Sequence, residues 1–315
     1  MDINNCTIIG IDGGGTHTRG ELFRAGEKIV KVKSGTTRIG AVGVGESSER
    51  TLNVIMDLCR QAAISLNEVD AIVFGVAGVW LEEEKRRSQQ LIKTLACGQY
   101  IDINNLVVTS DAELALEGAF TGGDGIITII GTGSIALAKN KDKPLERCGG
   151  WGVELDDEGS GAWIGREGLT AVVRALDGRG KPTALTQKVG ELYHSIDLEN
   201  PRTIVKAYNE GAFEYQMLTP SVMQCAENKD EICLNIINRS AKHLAELPNA
   251  LLKHYKSKTV DVALMGGIIE ADTLLAHLLV EEIHKNEKIK LVQPQGSAID
   301  GAIAIGFRAI QQSMI

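Results

Sequence analysis

Short apolar runs alternate with amphipathic stretches along the whole chain. Thr7–Asp12, Arg19–Arg24 and Lys28–Lys33 read as three successive strands, the first apolar between its ends and turned into the second by Gly13-Gly14-Gly15. The chain is therefore predicted to open on an antiparallel meander. From Ser47 the positions Leu52, Ile55, Met56, Cys59, Ala62 and Ala63 recur at helical spacing. A buried strand over Ala71–Val76, a polar-faced helix over Glu82–Ala96, a second buried strand over Leu106–Thr109 and a helix over Ala112–Phe120 follow. This alternation of strand and helix predicts a parallel sheet and an α/β domain.

The opening pattern then recurs. The apolar run Ile126–Ile130, the turn Gly131-Thr132-Gly133-Ser134 and a strand over Ile135–Lys139 keep the order of the first hairpin, which predicts an internal duplication. Helices expected at Ser160–Leu176, Ala184–Tyr193, Pro201–Asn209 and Cys233–Leu247, the last kinked or broken near Pro248, enlarge this half. A strand over Thr259–Met265, a helix over Thr273–His284, a short strand over Ile289–Val292 and a helix over Ala298–Gln311 come last. Two domains are expected: residues 1–118 with the C-terminal helix 298–315, and residues 119–297 with a helical insertion.

A length of 315 residues suits roughly two domains. Hydrophobic residues make up 43% and charged residues 23%, the balance of a soluble globular chain. Apolar runs such as Ile126–Ile130 fall far short of the roughly 18 residues of a membrane span, and no basic segment leads into an apolar stretch at the start. A cytoplasmic protein without a membrane partner is expected. A net charge of −8 and an aromatic content of 4% supply neither excess cations for a phosphate backbone nor platforms for stacked bases, so no nucleic-acid partner is expected. Six widely spaced cysteines without a C-x-x-C pair predict reduced thiols and no zinc or cluster site. Glycine is enriched: the 35 residues cluster in short loops of the kind that meet ligands.

The most informative loop is Asp12-Gly13-Gly14-Gly15-Thr16-His17-Thr18. Glycines let backbone N–H groups approach a polyphosphate, and Thr16 and Thr18 add hydroxyl donors. The G-x-x-x-x-G-K-[ST] pattern is absent, and the dinucleotide fingerprint would need Gly in place of Thr18 and a helix rather than a strand next. Asp12 would repel bare phosphates, which fits if Mg²⁺ or its water shell stands between them and makes Asp12 the candidate metal ligand. A glycine-rich hairpin that binds nothing is the other reading of this loop alone. Gly131-Thr132-Gly133-Ser134 repeats the setting and the donors, and one such loop per half is what a nucleotide clamped between duplicated domains requires.

Three further segments carry candidate chemistry. Gly266-Gly267, after Val260–Met265, either lets adenine and ribose lie against the backbone or simply starts a helix. Asp111 follows a buried strand and precedes a helix, at the carboxyl edge of a sheet where open α/β folds bind ligands. It reads as a helix cap, as a base for an attacking hydroxyl, or as both. Gly149-Gly150-Trp151-Gly152 with Asp156-Asp157-Glu158-Gly159-Ser160-Gly161 combines close backbone approach, an aromatic face and acids able to accept sugar hydroxyls, with a charged helix start as the plainer reading.

On these residues the chain resembles the actin-like, hexokinase-type ATPase superfamily and, within it, the BadF/BadG ATPase family that includes N-acetylglucosamine and glucosamine kinases. Ile11–Thr16 resembles the first phosphate motif of that family, Gly131–Ser134 the second, Ala263–Gly267 the adenosine motif, Thr109–Ala112 the catalytic-Asp segment and Gly149–Ser160 the sugar-binding stretch. The resemblance spans essentially the whole chain. It implies two ribonuclease-H-like (actin-like ATPase) α/β domains with an interdomain cleft, the second enlarged by helices. It further implies transfer of the γ-phosphoryl of Mg-ATP to the 6-hydroxyl of an amino sugar, N-acetylglucosamine or glucosamine. Asp111 would be the catalytic base. ATP and Mg²⁺ would be held by Asp12, Gly13, Gly14, Gly15, Thr16, Thr18, Gly131, Thr132, Gly133, Ser134, Gly266 and Gly267. The sugar would be held by Thr37, Gly149, Gly150, Trp151, Asp157 and Glu158. A small-molecule sugar is the implied partner and a homodimer the candidate assembly.

Two departures stand out. Gly35-Thr36-Thr37-Arg38 occupies the loop where these kinases commonly carry an Asn that contacts the sugar, and Asp156 stands where Gly is expected. The alternative reading is an ATPase activator of a 2-hydroxyacyl-CoA dehydratase, a class that holds an iron–sulfur cluster between two subunits through cysteines. Only Cys148 lies near a glycine-rich interdomain segment, so no such centre is expected. A sugar-sensing repressor would need a helix-turn-helix extension, and none is read ahead of Thr7.

Overall fold

A computed structural model describes residues 6–141 and 143–313, which form two compact units, one ending at Asp124 and resuming at Gln293, the other spanning Gly125–Val292. In the first unit, β1 (Thr7–Gly13), β2 (His17–Arg24) and β3 (Glu27–Gly35) lead into α1 (Ile39–Gln61), β4 (Ala71–Val76), α2 (Glu82–Gly98), β5 (Leu106–Thr109) and α3 (Asp111–Phe120). The strands lie in the order β3-β2-β1-β4-β5, antiparallel across the first three and parallel from β1 through β4 to β5. The central position of β1 and β4 follows from composition, because apolar residues point to both faces and both faces are covered.

The second unit repeats the plan. It comprises β6 (Gly125–Ile130), β7 (Ser134–Lys139), β8 (Glu146–Gly149), α4 (Gly161–Leu176), α5 (Leu185–Leu192), α6 (Thr203–Asn209), α7 (Thr219–Glu227), α8 (Glu231–Leu251), β9 (Val260–Met265), the single turn α9 (Gly267–Glu270), α10 (Leu274–Ile283) and β10 (Ile289–Leu291). Its strand order, β10-β9-β6-β7-β8, has the antiparallel and parallel pairings of the first sheet. The last helix, α11 (Ala298–Ser313), returns to the first unit, where Ile299, Ile303 and Ile310 join Cys6, Ile8, Phe23 and Ala71 in one buried cluster.

Three local features differ from the pattern-based expectation. Helix α1 begins at Ile39 rather than Ser47, but its first turn is interrupted at Gly43 (φ 77°, ψ 160°), so the regular stretch starts close to the periodic apolar positions. Strand β8 and helix α7 lie in stretches to which the sequence pattern assigns no element. Pro248 neither breaks nor ends α8: it gives up one backbone N–H bond while Leu244, Leu247 and Leu251 around it are buried, and that burial keeps the helix in place. Among the described residues no helix is long and apolar enough to cross a membrane.

Candidate active site

The first unit places two carboxylates at one sheet edge. Asp12 lies near the end of β1, opposite Gly75 of β4, which in turn faces Thr109 at the end of β5, and Asp111 begins α3 two residues later. A reciprocal cap fixes that start: the Ser110 hydroxyl accepts the Glu113 N–H (3.1 Å), while one Glu113 oxygen accepts the Ser110 N–H (2.8 Å), the Ser110 hydroxyl (2.9 Å) and the Thr109 hydroxyl. The other Glu113 oxygen lies 2.9 Å from Nζ of Lys85 on α2, whose side chain is only 12% exposed. Burial alone would push Glu113 up, yet the Thr109 and Ser110 hydrogen bonds and the Lys85 ammonium hold it below the usual carboxylate range.

Asp111 has the opposite electrostatics. Burial, reinforced by the negative charge of Asp12, pushes it up to about 6, against the Ala112 N–H donated to its Oδ1 (2.9 Å) and the Arg38 guanidinium. Burial also raises Asp12, with Arg19 opposing. Two mutually repelling carboxylates at a strand edge form a donor set that suits a hard divalent cation, which Asp12 would hold.

The adjoining glycine loop is shaped from below. A Cβ on Gly13 would lie 2.8 Å from both the Gly75 carbonyl oxygen and the Phe74 ring, and closer still to the Thr37 hydroxyl, so only glycine passes this point. Thr18 and Thr37, expected at the phosphates and the sugar, are both fully buried, with their hydroxyls 3.0 Å apart on each other. That contact braces the hairpin. Their neighbour Thr36 donates its hydroxyl to the carbonyls of Gly14 (3.1 Å) and Gly15 (3.0 Å). Gly15 and Thr16 remain exposed at the tip.

In the second unit the loop Gly131–Ser134 is tied to α4 and to the acidic segment before it. The N–H groups of Gly161 and Ala162 donate to the carbonyls of Gly131 and Thr132, both at 2.9 Å. Ser134 is buried; its N–H donates to Oδ1 of Asp157 (3.2 Å) and its hydroxyl faces the Glu158 carbonyl (3.4 Å), so it braces the loop while Thr132 stays exposed. Asp157 adopts a left-handed backbone conformation (φ 55°), and a Cβ on Gly133 would lie 2.8 Å from its Oδ2. The Glu158 carboxylate is half exposed.

Trp151 is 68% exposed, and the Arg147 guanidinium sits 4.7 Å from its ring centroid while donating to the carbonyls of Gly149 and Gly150. Asp156, the residue in place of the expected Gly, accepts the Trp151 N–H (3.1 Å) and so fastens the turn. From α8, the Ser240 hydroxyl donates to the Gly159 carbonyl (2.6 Å), which gives the helical insertion a supporting role under this segment. Gly266 caps α9 at φ 106° and rests on the Ile130 carbonyl, with Gly267 as the first helical residue.

Thr36, Lys85 and Ser240 are not legible as site residues, because each acts through a contact distant in sequence. Glu113 carried a local signal, the S-x-x-E spacing from Ser110.

Comparison with known proteins gives a concordant picture. The model of the BadF/BadG/BcrA/BcrD ATPase family matches residues 9–306. An N-acetylmuramic acid/N-acetylglucosamine kinase of Clostridium acetobutylicum is 28% identical over 305 residues, covering 95% of this chain and 97% of its own. An N-acetyl-D-glucosamine kinase of Dictyostelium discoideum is 30% identical over 295 residues, covering 89% and 90%. A solved structure from Chromobacterium violaceum, provisionally assigned as an N-acetylglucosamine kinase, superposes with a TM-score of 0.78 at 27% identity over 96% of this chain and 99% of that one.

Proposed function

The chain belongs to the BadF/BadG/BcrA/BcrD ATPase family, and on that premise we propose that it transfers the γ-phosphoryl group of Mg-ATP to the 6-hydroxyl of N-acetylglucosamine or glucosamine. It is a carbohydrate kinase of the type its named relatives represent. The observation that carries the finer reading is the unequal carboxylate pair. At about 6, Asp111 is ionised at neutral pH yet basic enough to take the hydroxyl proton as the sugar oxygen attacks in line. Asp12 holds the cation, which when bound screens the phosphate charge.

Backbone N–H groups of Gly14, Gly15, Thr16 and Thr132 donate to phosphate oxygens, and Gly266-Gly267 receives the adenosine. On the sugar side, the exposed face of Trp151 and the carboxylates of Asp157 and Glu158 select a polyhydroxylated ring, with Gly149 and Gly150 allowing close approach. This reading places the protein in the cytoplasm and gives it a small sugar as partner.

The test is ATP-dependent phosphorylation across hexoses, hexosamines and N-acetylhexosamines, followed by ADP release and by the mass of the product. Turnover on glucosamine or N-acetylglucosamine should exceed that on glucose or mannose by at least tenfold. ADP release indifferent to every sugar would overturn the assignment. The bracing role of Thr36 gives a second check: Thr36→Val removes its hydroxyl from the Gly14 and Gly15 carbonyls, a loss of roughly 1 kcal/mol. The KM for ATP should rise about fivefold with kcat within a factor of two, as steady-state kinetics would show.

A further inference from the structure

The helical part of the second unit carries a cavity of about 340 Å³ that phosphoryl transfer does not use. It opens between α4 and α6, and its walls are mainly apolar, with Val173, Ile204 and Phe213 among them. The rings of Phe213 and Tyr215 stack in parallel, their centroids 6.4 Å apart, so this wall presents a preformed aromatic surface. Tyr208 stands on the cavity lining with 63% of its surface exposed.

Three arginines, Arg166, Arg174 and Arg179, line the same cavity. Arg166 donates to the Val153 carbonyl and Arg174 to the Arg179 carbonyl (3.4 Å), which leaves both guanidiniums with further N–H groups. Among the described residues, only Arg179 of the three has a carboxylate within ion-pair distance, Asp177. In a chain of net charge −8, the described lining of this cavity carries three guanidiniums and no carboxylate; Asp177 pairs with Arg179 and Glu154 acts on Tyr215, so the guanidiniums still outnumber these acids and an anion would offset the excess.

We propose that this cavity binds a small anion with an apolar or aromatic body, the body lying against Val173 and Phe213 and the head group meeting Arg166 and Arg174. Guanidiniums recognise carboxylate, phosphate and sulfonate heads through paired N–H donors, and the volume falls at the small end of the range for ligand pockets. A sugar phosphate satisfies the arginines but leaves the apolar walls unmatched, so the product of the proposed reaction is not the occupant.

The probe is 1-anilinonaphthalene-8-sulfonate, an aromatic sulfonate, titrated into the intact protein and followed by its fluorescence. The expected result is one saturable site per chain. Arg174→Glu should weaken binding at least tenfold and Tyr208→Ala severalfold, while Lys290→Glu, an equal charge reversal on β10, leaves it within twofold. The thermal midpoint of each variant, read by circular dichroism, must match the parent, which separates loss of the site from loss of the fold independently of any kinase assay. Binding that does not saturate, that both charge reversals weaken alike, or that glucosamine 6-phosphate displaces would overturn the proposal.

Discussion

Replacing Asp111 with Asn is expected to lower turnover by a factor on the order of 10² to 10⁴, the usual contribution of a positioned base, and to leave ATP binding nearly intact. The same change should stabilise the ligand-free protein at pH 7.5. The folded-state pKa of Asp111 lies above its unfolded value, so the protein favours the protonated form. Whatever stability that preference lends is fully present below about pH 4 and is lost as pH rises towards 6. Moving from 3.8 to about 6 corresponds to up to roughly 3 kcal/mol of destabilisation once the carboxylate is ionised.

Asn keeps the shape and gives up only a first-turn charge worth about 0.3–1 kcal/mol, so the gain outweighs the loss. A thermal midpoint about 2–6 °C above the parent at pH 7.5, with the two curves converging near pH 4, is the expected pattern in the absence of divalent cations and nucleotide. A variant with near-normal turnover would remove Asp111 from the chemistry, and one with no rise at pH 7.5 would remove the electrostatic account of its pKa.

The second large effect is expected far from any ligand. Helices α3 and α11 cross at glycines: a Cβ on Gly301 would lie 2.7 Å from the Gly118 nitrogen and closer still to the Leu114 carbonyl oxygen, and one on Gly118 would meet Ser297. These obstacles are backbone, which cannot rotate aside. Gly301→Ala should therefore destabilise the protein by about 1–3 kcal/mol or more and lower the thermal midpoint by several degrees. Because α3 begins at Asp111, forcing the helices apart also displaces the candidate base, and turnover should fall along with stability. The control is Gly45→Ala on α1, where a Cβ meets nothing within 4 Å and the backbone is helical, so the midpoint should hold or rise. Equal midpoints for Gly301→Ala and the parent would contradict the close crossing.

Much of this architecture was legible in the pattern of residues because its strongest elements are locally determined. Ala71–Val76 and Leu106–Thr109 coincide with β4 and β5: each is a mainly apolar run bounded by turn residues, and largely buried parallel strands require nothing more. What escaped was decided by tertiary context. Strand β8 is four residues long, half-buried for most of its length, and owes its conformation to pairing with β7. Helix α7 carries Pro220 in its first turn, a position where proline starts a helix, although the same residue elsewhere marks a break.

The site shows the same division. Glycine loops and strand-end acids stood out because their chemistry is local. Side chains that hold those loops in shape did not, since Thr36 reaches back across β3 and β2 to Gly14, and Ser240 reaches Gly159 across 81 positions. The direction of the Thr18 and Thr37 side chains is likewise set by the fold: beside a glycine loop each hydroxyl reads as a donor to a ligand, and the tertiary structure turns the two onto each other.

The return of α11 to the first unit has a consequence for synthesis on the ribosome. The second unit is continuous in sequence, so every residue of its core has been synthesised before the last helix begins. The first unit waits: the cluster joining Cys6, Ile8, Phe23 and Ala71 to Ile299, Ile303 and Ile310 stays open, with apolar strand faces uncovered, until α11 emerges. A chain that begins earlier thus finishes later, and chaperone demand during translation should fall on the N-terminal strands and not on the helical insertion.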